Sequence, residues 1–204
     1  MRGMEAGKTP ATSGGSDELD SRLHELIDSS SLLLRALHVA QAVGPPDWLI
    51  VGEVIRNLVW DRLHGLNRGP SKDVDLAFFD PASLDGEREL SVGMLLTSMA
   101  PDISWHVTNQ ASAHLWHPEV HGGEMEPVTC SADAVARWPE TATAIAIRLR
   151  RNQTMKVLAP CGLDDLFGLI SRRNPGCATQ ERYRRRVDSR QIAGRWPRVQ
   201  VLDS

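Results

Sequence analysis

The chain has no long hydrophobic run. No apolar stretch in its 204 residues approaches the roughly 20 that a membrane-spanning helix needs, so no membrane partner is expected. The first residues carry no long apolar segment, and no secretory signal is expected either. Cysteine is scarce. Cys130, Cys161 and Cys177 are odd in number and lie without metal-ligand spacing, which argues against a disulfide framework and for a reduced, cytoplasmic setting. There is no internal repeat. What is present is enough for a core: 41% apolar residues over a length that suits one domain.

The net charge of −3 hides an asymmetry. Residues 1–144 hold 10 Lys/Arg against 21 Asp/Glu, a balance of −11, whereas residues 145–204 hold 13 against 5, a balance of +8. Such a basic end attracts a polyanion, nucleotide phosphate or RNA. Arginines on solvated helix faces that offset the acidic half are the simpler reading for most of them.

The most informative stretch runs from Leu49 to Asp80. An apolar run, Trp48 to Val51, ends on Gly52. A helical pattern follows through Val54, Ile55, Leu58, Val59 and Leu63. A polar turn with Gly65, Gly69 and Pro70 leads into a second apolar run that carries Asp73 and Asp75. Residues two apart on a strand share a face. Two adjacent carboxylates repel one another, and a hard divalent cation such as Mg²⁺ relieves that repulsion. Strand, glycine, helix and an Asp-x-Asp strand together suit a triphosphate and its metals.

The rest of the chain reads in order as follows. Residues 1–16, rich in Gly, Ser, Thr and Pro, are expected to be a disordered tail. Asp17 to Val43 is spaced for one or two helices with a break at Ser29–Ser31. Glu87 to Met99 is an amphipathic helix. Ile103 to Thr108 alternates as a strand that puts Ser104, His106 and Thr108 on a polar face. Asn109 to Trp116 looks helical, and His117 to Thr129 is a loop. Asp133 to Trp138 is a short helix, and Thr143 to Arg150 with Met155 to Ala159 form a hairpin. Gly162 to Ser171 is expected as a final core helix, followed by an arginine-rich tail with Tyr183 and Trp196.

Gly52-Glu53-Val54-Ile55-Arg56-Asn57 and Lys72-Asp73-Val74-Asp75-Leu76 resemble the signature of the polymerase-beta-type nucleotidyltransferase superfamily. The match looks closest to bacterial nucleotidyltransferase-family proteins of unassigned substrate, and more distantly to the head domain of tRNA CCA-adding enzymes. Further similarity lies in Trp60-Asp61, Trp105 to His114, Trp138 to Ala142, Ala159 to Phe167 and Trp196-Pro197, so the resemblance covers roughly Leu33 to Val201. It implies an α/β (α+β) fold: one domain over residues 17–204 with a mixed, mostly antiparallel sheet covered by helices, and an arginine-rich segment from about residue 172. It implies metal-dependent transfer of a nucleoside monophosphate from an NTP to a hydroxyl or phosphate on an RNA, protein or small-molecule acceptor.

By the same resemblance, Asp73 and Asp75 are catalytic and bind Mg²⁺, and Gly52, Arg56 and Lys72 bind the nucleotide. Several alternatives stay open beside it. Gly52 gives phosphate access to the α-helix N-terminus, or is a tight turn. Arg56 reaches a phosphate, or pairs with Asp61 or Glu53. Lys72 neutralises phosphate, or is a surface charge. Asn109 and Gln110 orient the carboxylates or the base, or form a buried structural pair.

Two departures point toward a second reading, a catalytically impaired nucleotide-binding or interaction module. Glu53 stands where the superfamily has a small residue, and it would compete with a triphosphate. His106 stands where a third carboxylate is expected, and imidazole suits Mn²⁺ or Zn²⁺ better than Mg²⁺. Asp102 and Asp133 are the alternative sources of that acid. His114, His117, His121 and Cys130 lack paired zinc spacing, and Asp164 and Asp165 read as first-turn residues.

Overall fold

The computed structural model describes residues 14–68, 71–116, 125–175 and 177–202. His117 and His121, weighed above against a zinc reading, and the first part of the loop expected around them lie outside the described residues, as do residues 1–13. Helices α1 (Gly14–Asp28) and α2 (Ser31–Val43) open the fold, so α1 takes in the last three residues of the stretch read as a tail. They break where Ser30 caps α2, its hydroxyl accepting the Leu33 N–H at 3.4 Å. A cap of this kind satisfies an amide that the first turn leaves without a partner. Leu23, Ile27, Leu33 and Leu37 face inward and are buried.

Strand β1 (Leu49–Val51) is buried throughout and leads into α3 (Glu53–Leu63). After β2 (Asp73–Phe78), α4 (Glu87–Met99) crosses over to β3 (Ser104–Asn109). Helix α5 (Ser131–Ala136) precedes the hairpin of β4 (Ala146–Leu149) and β5 (Met155–Leu158). The sheet order is β3-β2-β1-β4-β5. Only the β2–β3 pair is parallel; β1 runs antiparallel to β2 and β4, and β4 to β5. A parallel neighbour requires a crossover, and α4 supplies it. The mixed, mostly antiparallel sheet covered by helices is the fold expected from the sequence. Among the described residues, no helix is long and apolar enough to cross a membrane.

Two expectations for the C-terminal third fail. The helix expected over Gly162–Ser171 is only α6 (Asp164–Phe167). It stops where Gly168 packs against its own first turn, so that a Cβ there would lie 2.7 Å from the Asp164 carbonyl oxygen. Leu169 then takes φ +57°, and the chain enters β6 (Ile170–Arg172), which pairs in parallel with β7 (Gln200–Leu202). The arginine-rich end is not a tail. It folds as α7 (Gln180–Ser189) and α8 (Ile192–Arg195), and Tyr183, Ile192 and Trp196 are fully buried. Burying a side chain such as Ile192 contributes roughly 1.5–3 kcal/mol. With two aromatics beside it, that is enough to dock an otherwise polar segment.

Candidate active site

Along β2, exposure alternates: Asp73 is exposed, Val74 buried, Asp75 half-buried and Leu76 buried. The apolar pair packs into the core, so the pleat turns both aspartates to the opposite face. The parallel register sets Asp75 beside His106 and Asp73 beside Ser104. His106 is exposed, and its Nε2 lies 4.0 Å from Asp73 Oδ1. The strand parity read from the sequence, combined with the parallel β2–β3 register, therefore sets His106 beside Asp73 and Asp75. Burial pushes the Asp75 carboxyl above its usual range, and Glu53 adds to the effect against the opposing pull of His106, Arg186 and Arg190. Such a carboxylate gains from an added cation. Two carboxylates on one strand face suit a hard divalent ion.

Asp75 and His106 open onto a cleft of about 660 Å³, which Glu53, Trp138, Arg186 and Arg190 also line. No third acid joins the aspartates: among the described residues, no three His, Cys, Asp or Glu side chains gather as a metal site. Asp102 pairs with Arg35 at the surface. Both carboxylate oxygens of Asp133 accept from Arg137, from Nε at 3.0 Å and from Nη2 at 2.9 Å. Cys130, one of the residues weighed as a zinc ligand, caps α5 instead, its sulfur accepting the Asp133 N–H at 3.4 Å. Lys72 is exposed at the foot of β2, its carbonyl accepting the Ser104 N–H at 2.9 Å.

Gly52 joins β1 to α3 at φ +76° and ψ −122°, a conformation that an L side chain rarely adopts. A Cβ there would lie 2.1 Å from a Trp138 ring carbon. The indole, which itself lines the cleft, takes the space that a side chain would need. The tight turn read from this glycine is present, and the group packed against it is an indole. Glu53 follows at the start of α3. It accepts from Arg186 Nη2 at 2.7 Å and Arg190 Nε at 2.8 Å, with Arg56 Nη2 at 3.6 Å.

Arg56 does not extend toward the cleft as a phosphate arm. Its side chain is 0% exposed, and its guanidinium lies 5.0 and 5.1 Å from the rings of Trp60 and Trp196. It donates to Glu140 Oε2 at 3.2 Å and to Asn57 Oδ1 at 3.2 and 3.0 Å. Burial pulls the guanidinium below its ordinary value, against the opposing pull of Glu140 and then Glu53. Of the alternatives weighed for this residue, the ion pair with Glu53 is the one formed. The reason is local: Trp60 is one helical turn on from Arg56, and Trp196 meets Trp60 edge-on at 5.2 Å. A planar guanidinium fits that aromatic slot.

Asn109 is likewise a structural residue. Its amide accepts the Asp80 and Ala111 N–H groups at 2.9 and 3.2 Å and donates to the Asp80 and Ser83 carbonyls at 2.8 and 2.6 Å. Those bonds fasten the loop after β2 and leave nothing for carboxylates or a base. Gln110 lines the cleft. Asp165, in the first turn of α6, accepts from Thr141 at 2.7 Å and Arg172 at 2.9 Å.

Sequence reasoning missed the residue at the centre of the polar web. Glu140 is fully buried. Besides Arg56, it holds Ser171 Oγ at 2.8 Å and lies 3.7 Å from Arg186 Nε. Ser171 meets the Tyr183 hydroxyl at 2.9 Å. Glu140 lies in the Trp138–Ala142 stretch noted above, but its lone carboxylate gave no hint of the partners that converge on it from α3, β6 and α7. A signal for α7 was present: Thr179 caps it, and Tyr183 and Val187 recur one turn apart on its inner side.

A family model described as nucleotidyltransferase matches residues 38–201. Among solved structures, the chain is similar to a protein whose NMR structure reveals a CCA-adding enzyme head domain, with 24% identity and a TM-score of 0.76, over 89% of this chain and 94% of that one. It is also similar in fold to a CCA-adding enzyme in complex with CTP, at 15% identity and a TM-score of 0.51. There it covers 91% of this chain but 43% of the other, so it corresponds to less than half of that enzyme. No curated protein matches the chain.

Proposed function

Since the chain belongs to the nucleotidyltransferase family, we propose that it moves a nucleoside monophosphate from an NTP to an acceptor, using a divalent cation held by Asp73 and Asp75. The observation that carries this reading is the pair of aspartates on one face of β2 beside His106, with Asp75 and His106 lining the cleft. When bound, Mg²⁺ or Mn²⁺ supplies charge neutralisation at the phosphates. The chain's own residues position the reactants: β2 and β3 fix the aspartates and His106, and Gly52 lets α3 begin directly beside them. The cleft walls hold the nucleotide in line with the acceptor, and such positioning supplies much of the rate in phosphoryl chemistry.

The acceptor, an RNA, a protein or a small molecule carrying a free hydroxyl or phosphate, is identified by incubation with labelled NTPs, Mg²⁺ or Mn²⁺ and cell extract. Asp73→Asn tests the reading. Asp73 is exposed and has little structural burden, so the fold should be unchanged to within about 0.5 kcal/mol, while metal-dependent NTP binding and transfer are lost. Binding of Mg²⁺–NTP by the variant as tightly as by the parent would place the site elsewhere. One observation favours a second reading, nucleotide binding without transfer: the absence, among the described residues, of a third acid beside Asp73 and Asp75. Under that reading, labelled NTP binds but no labelled product forms with any extract.

A further inference from the structure

Helix α7 and its C-terminal cap residue, Arg190, present a line of arginines to the cleft. Arg182, Arg186 and Arg190 recur every four residues and all three line the cavity. At about 1.5 Å per residue they rise roughly 12 Å along one helix face. Two of these cations share one close carboxylate. Arg56 is matched by Glu140 at 3.2 Å, which leaves Glu53 between Arg186 at 2.7 Å and Arg190 at 2.8 Å. Glu140 reaches Arg186 only at 3.7 Å, and Arg186 Nε is buried without a hydrogen-bond partner among the described residues. Burial and then the neighbouring Arg186 pull the Arg182 guanidinium below its ordinary value, as expected for like charges crowded together in a partly desolvated place. Arg137 also lines the cleft, but its guanidinium is held by Asp133.

We propose that this arginine line grips the polyphosphate chain of the nucleotide, and that Glu53 is an internal anion which the polyphosphate must displace from Arg186 and Arg190. The inference rests on the nucleotide-transfer reading of the same cleft and adds the element that recognises phosphate. Glu53 then acts as a selectivity device. A single phosphate offers too little charge and too short a reach to replace the carboxylate and engage the whole line. A chain of phosphates engages several guanidiniums at once, through the charge-assisted, two-pronged hydrogen bonds that arginine makes to phosphate. Ligands are therefore ranked by the number of linked phosphates more than by the base.

The experiment is calorimetric titration of the full chain with inorganic tripolyphosphate, pyrophosphate and phosphate, without metal, on the parent, Glu53→Gln and Arg190→Gln. Thermal melts check that each variant is folded. Glu53→Gln should bind tripolyphosphate about tenfold tighter, because the competing charge is gone while the side-chain shape is kept. Arg190→Gln should bind it about tenfold more weakly. Its partner Glu53 stays paired with Arg186, and Arg190 is half-exposed, so this variant provides the answer if Glu53→Gln fails to fold. Inorganic phosphate should bind all three proteins weakly and alike. Unchanged or weaker tripolyphosphate binding by Glu53→Gln, or parent-like binding by Arg190→Gln, overturns the proposal.

The two readings fail separately. If Asp73→Asn abolishes Mg²⁺–NTP binding while Glu53→Gln and Arg190→Gln bind tripolyphosphate as the parent does, only the arginine line is wrong. If Glu53→Gln and Arg190→Gln respond as expected and Asp73→Asn does not, only the metal assignment is wrong.

Discussion

Two regions of the molecule are built on opposite terms. On one side, Asp73, Asp75 and His106 stand on the open face of β2 and β3. Asp73 and His106 are 73% and 60% exposed, and their one mutual contact is a loose 4.0 Å. On the other side, Arg56 and Glu140 are fully buried and embedded in a web that ties α3 to β6 and α7. The same charged residue types serve in both places. The difference lies in how many of their bonds the protein has already made. A buried charge whose bonds are complete is held rigid but has nothing left to give a ligand. Exposed carboxylates contribute little to stability, and their lone pairs stay available to a cation. The web shapes the site and the open strand face is left to do the chemistry.

The largest expected effect breaks the web. Glu140→Ala leaves the Arg56 guanidinium in its aromatic slot with its principal counter-charge gone. Removing one partner of a buried ion pair typically costs about 3–5 kcal/mol. Denaturant unfolding should show a loss of that size, against a change within about 0.5 kcal/mol for an exposed surface residue such as Asp73. If Glu140→Ala costs less than about 1 kcal/mol, solvent or Glu53 compensates Arg56 readily, and the contrast between the two sides collapses.

Next in size is the hinge between them. Gly52→Ala forces an L side chain to φ +76° and drives a Cβ to within 2.1 Å of the Trp138 ring. Backbone strain of this kind costs about 1–3 kcal/mol, and overpacking adds a similar amount. A loss of about 2–4 kcal/mol is expected. Trp138→Ala in the same chain separates the two terms: it removes the clash and leaves the backbone strain, so the double variant should be more stable than the sum of the single losses predicts. Strict additivity would mean that the indole moves aside freely, and that Gly52 serves the turn alone.

This division between open and buried groups also explains what the sequence could disclose. The open side was legible because strand parity depends on local spacing alone. Asp73 and Asp75 two apart, and His106 flanked by Trp105 and Val107, suffice to place each on the polar face of its own strand, and the family resemblance implied that the two strands lie side by side. Helix α4 was legible to the residue for the same reason. The buried side depends on long-range convergence. Nothing local distinguishes Arg56, which is buried between Trp60 and Trp196, from Arg186, which lines the cleft. The arginine-rich end looked like solvated surface because composition outweighed two aromatics, Tyr183 and Trp196, both of which are buried. The expected helix over Gly162–Ser171 failed where Gly168 and the positive φ of Leu169 turn the chain into β6, a change that apolar periodicity does not register.

The smallest effect expected concerns His106, where the open side departs most from a three-carboxylate site. The side chain lies where the strand parity put it, opposite Asp75 in register and 4.0 Å from Asp73. A neutral imidazole adds no charge to the aspartate pair, whereas His106→Asp would add one. At ~4 Å and an effective dielectric near 20, a unit charge is worth about 4 kcal/mol per unit of cation charge. With both side chains more than half exposed, water and salt reduce that to roughly 1 kcal/mol or less, which is about fivefold in affinity. Calorimetric titration with Mg²⁺ and Mn²⁺ in the presence of an NTP should therefore show a gain of about fivefold for Mg²⁺ in His106→Asp. The gain for Mn²⁺ should be smaller, because that ion tolerates the nitrogen it would lose. Stability should fall slightly without ligand, since a third carboxylate now repels Asp73 and Asp75, and the loss should disappear when metal is added. Equal affinities in parent and variant for both ions would show that His106 sits near the aspartates without acting with them, and would move the search for a third ligand to Glu53 or Glu126, the other carboxylates that line the cleft.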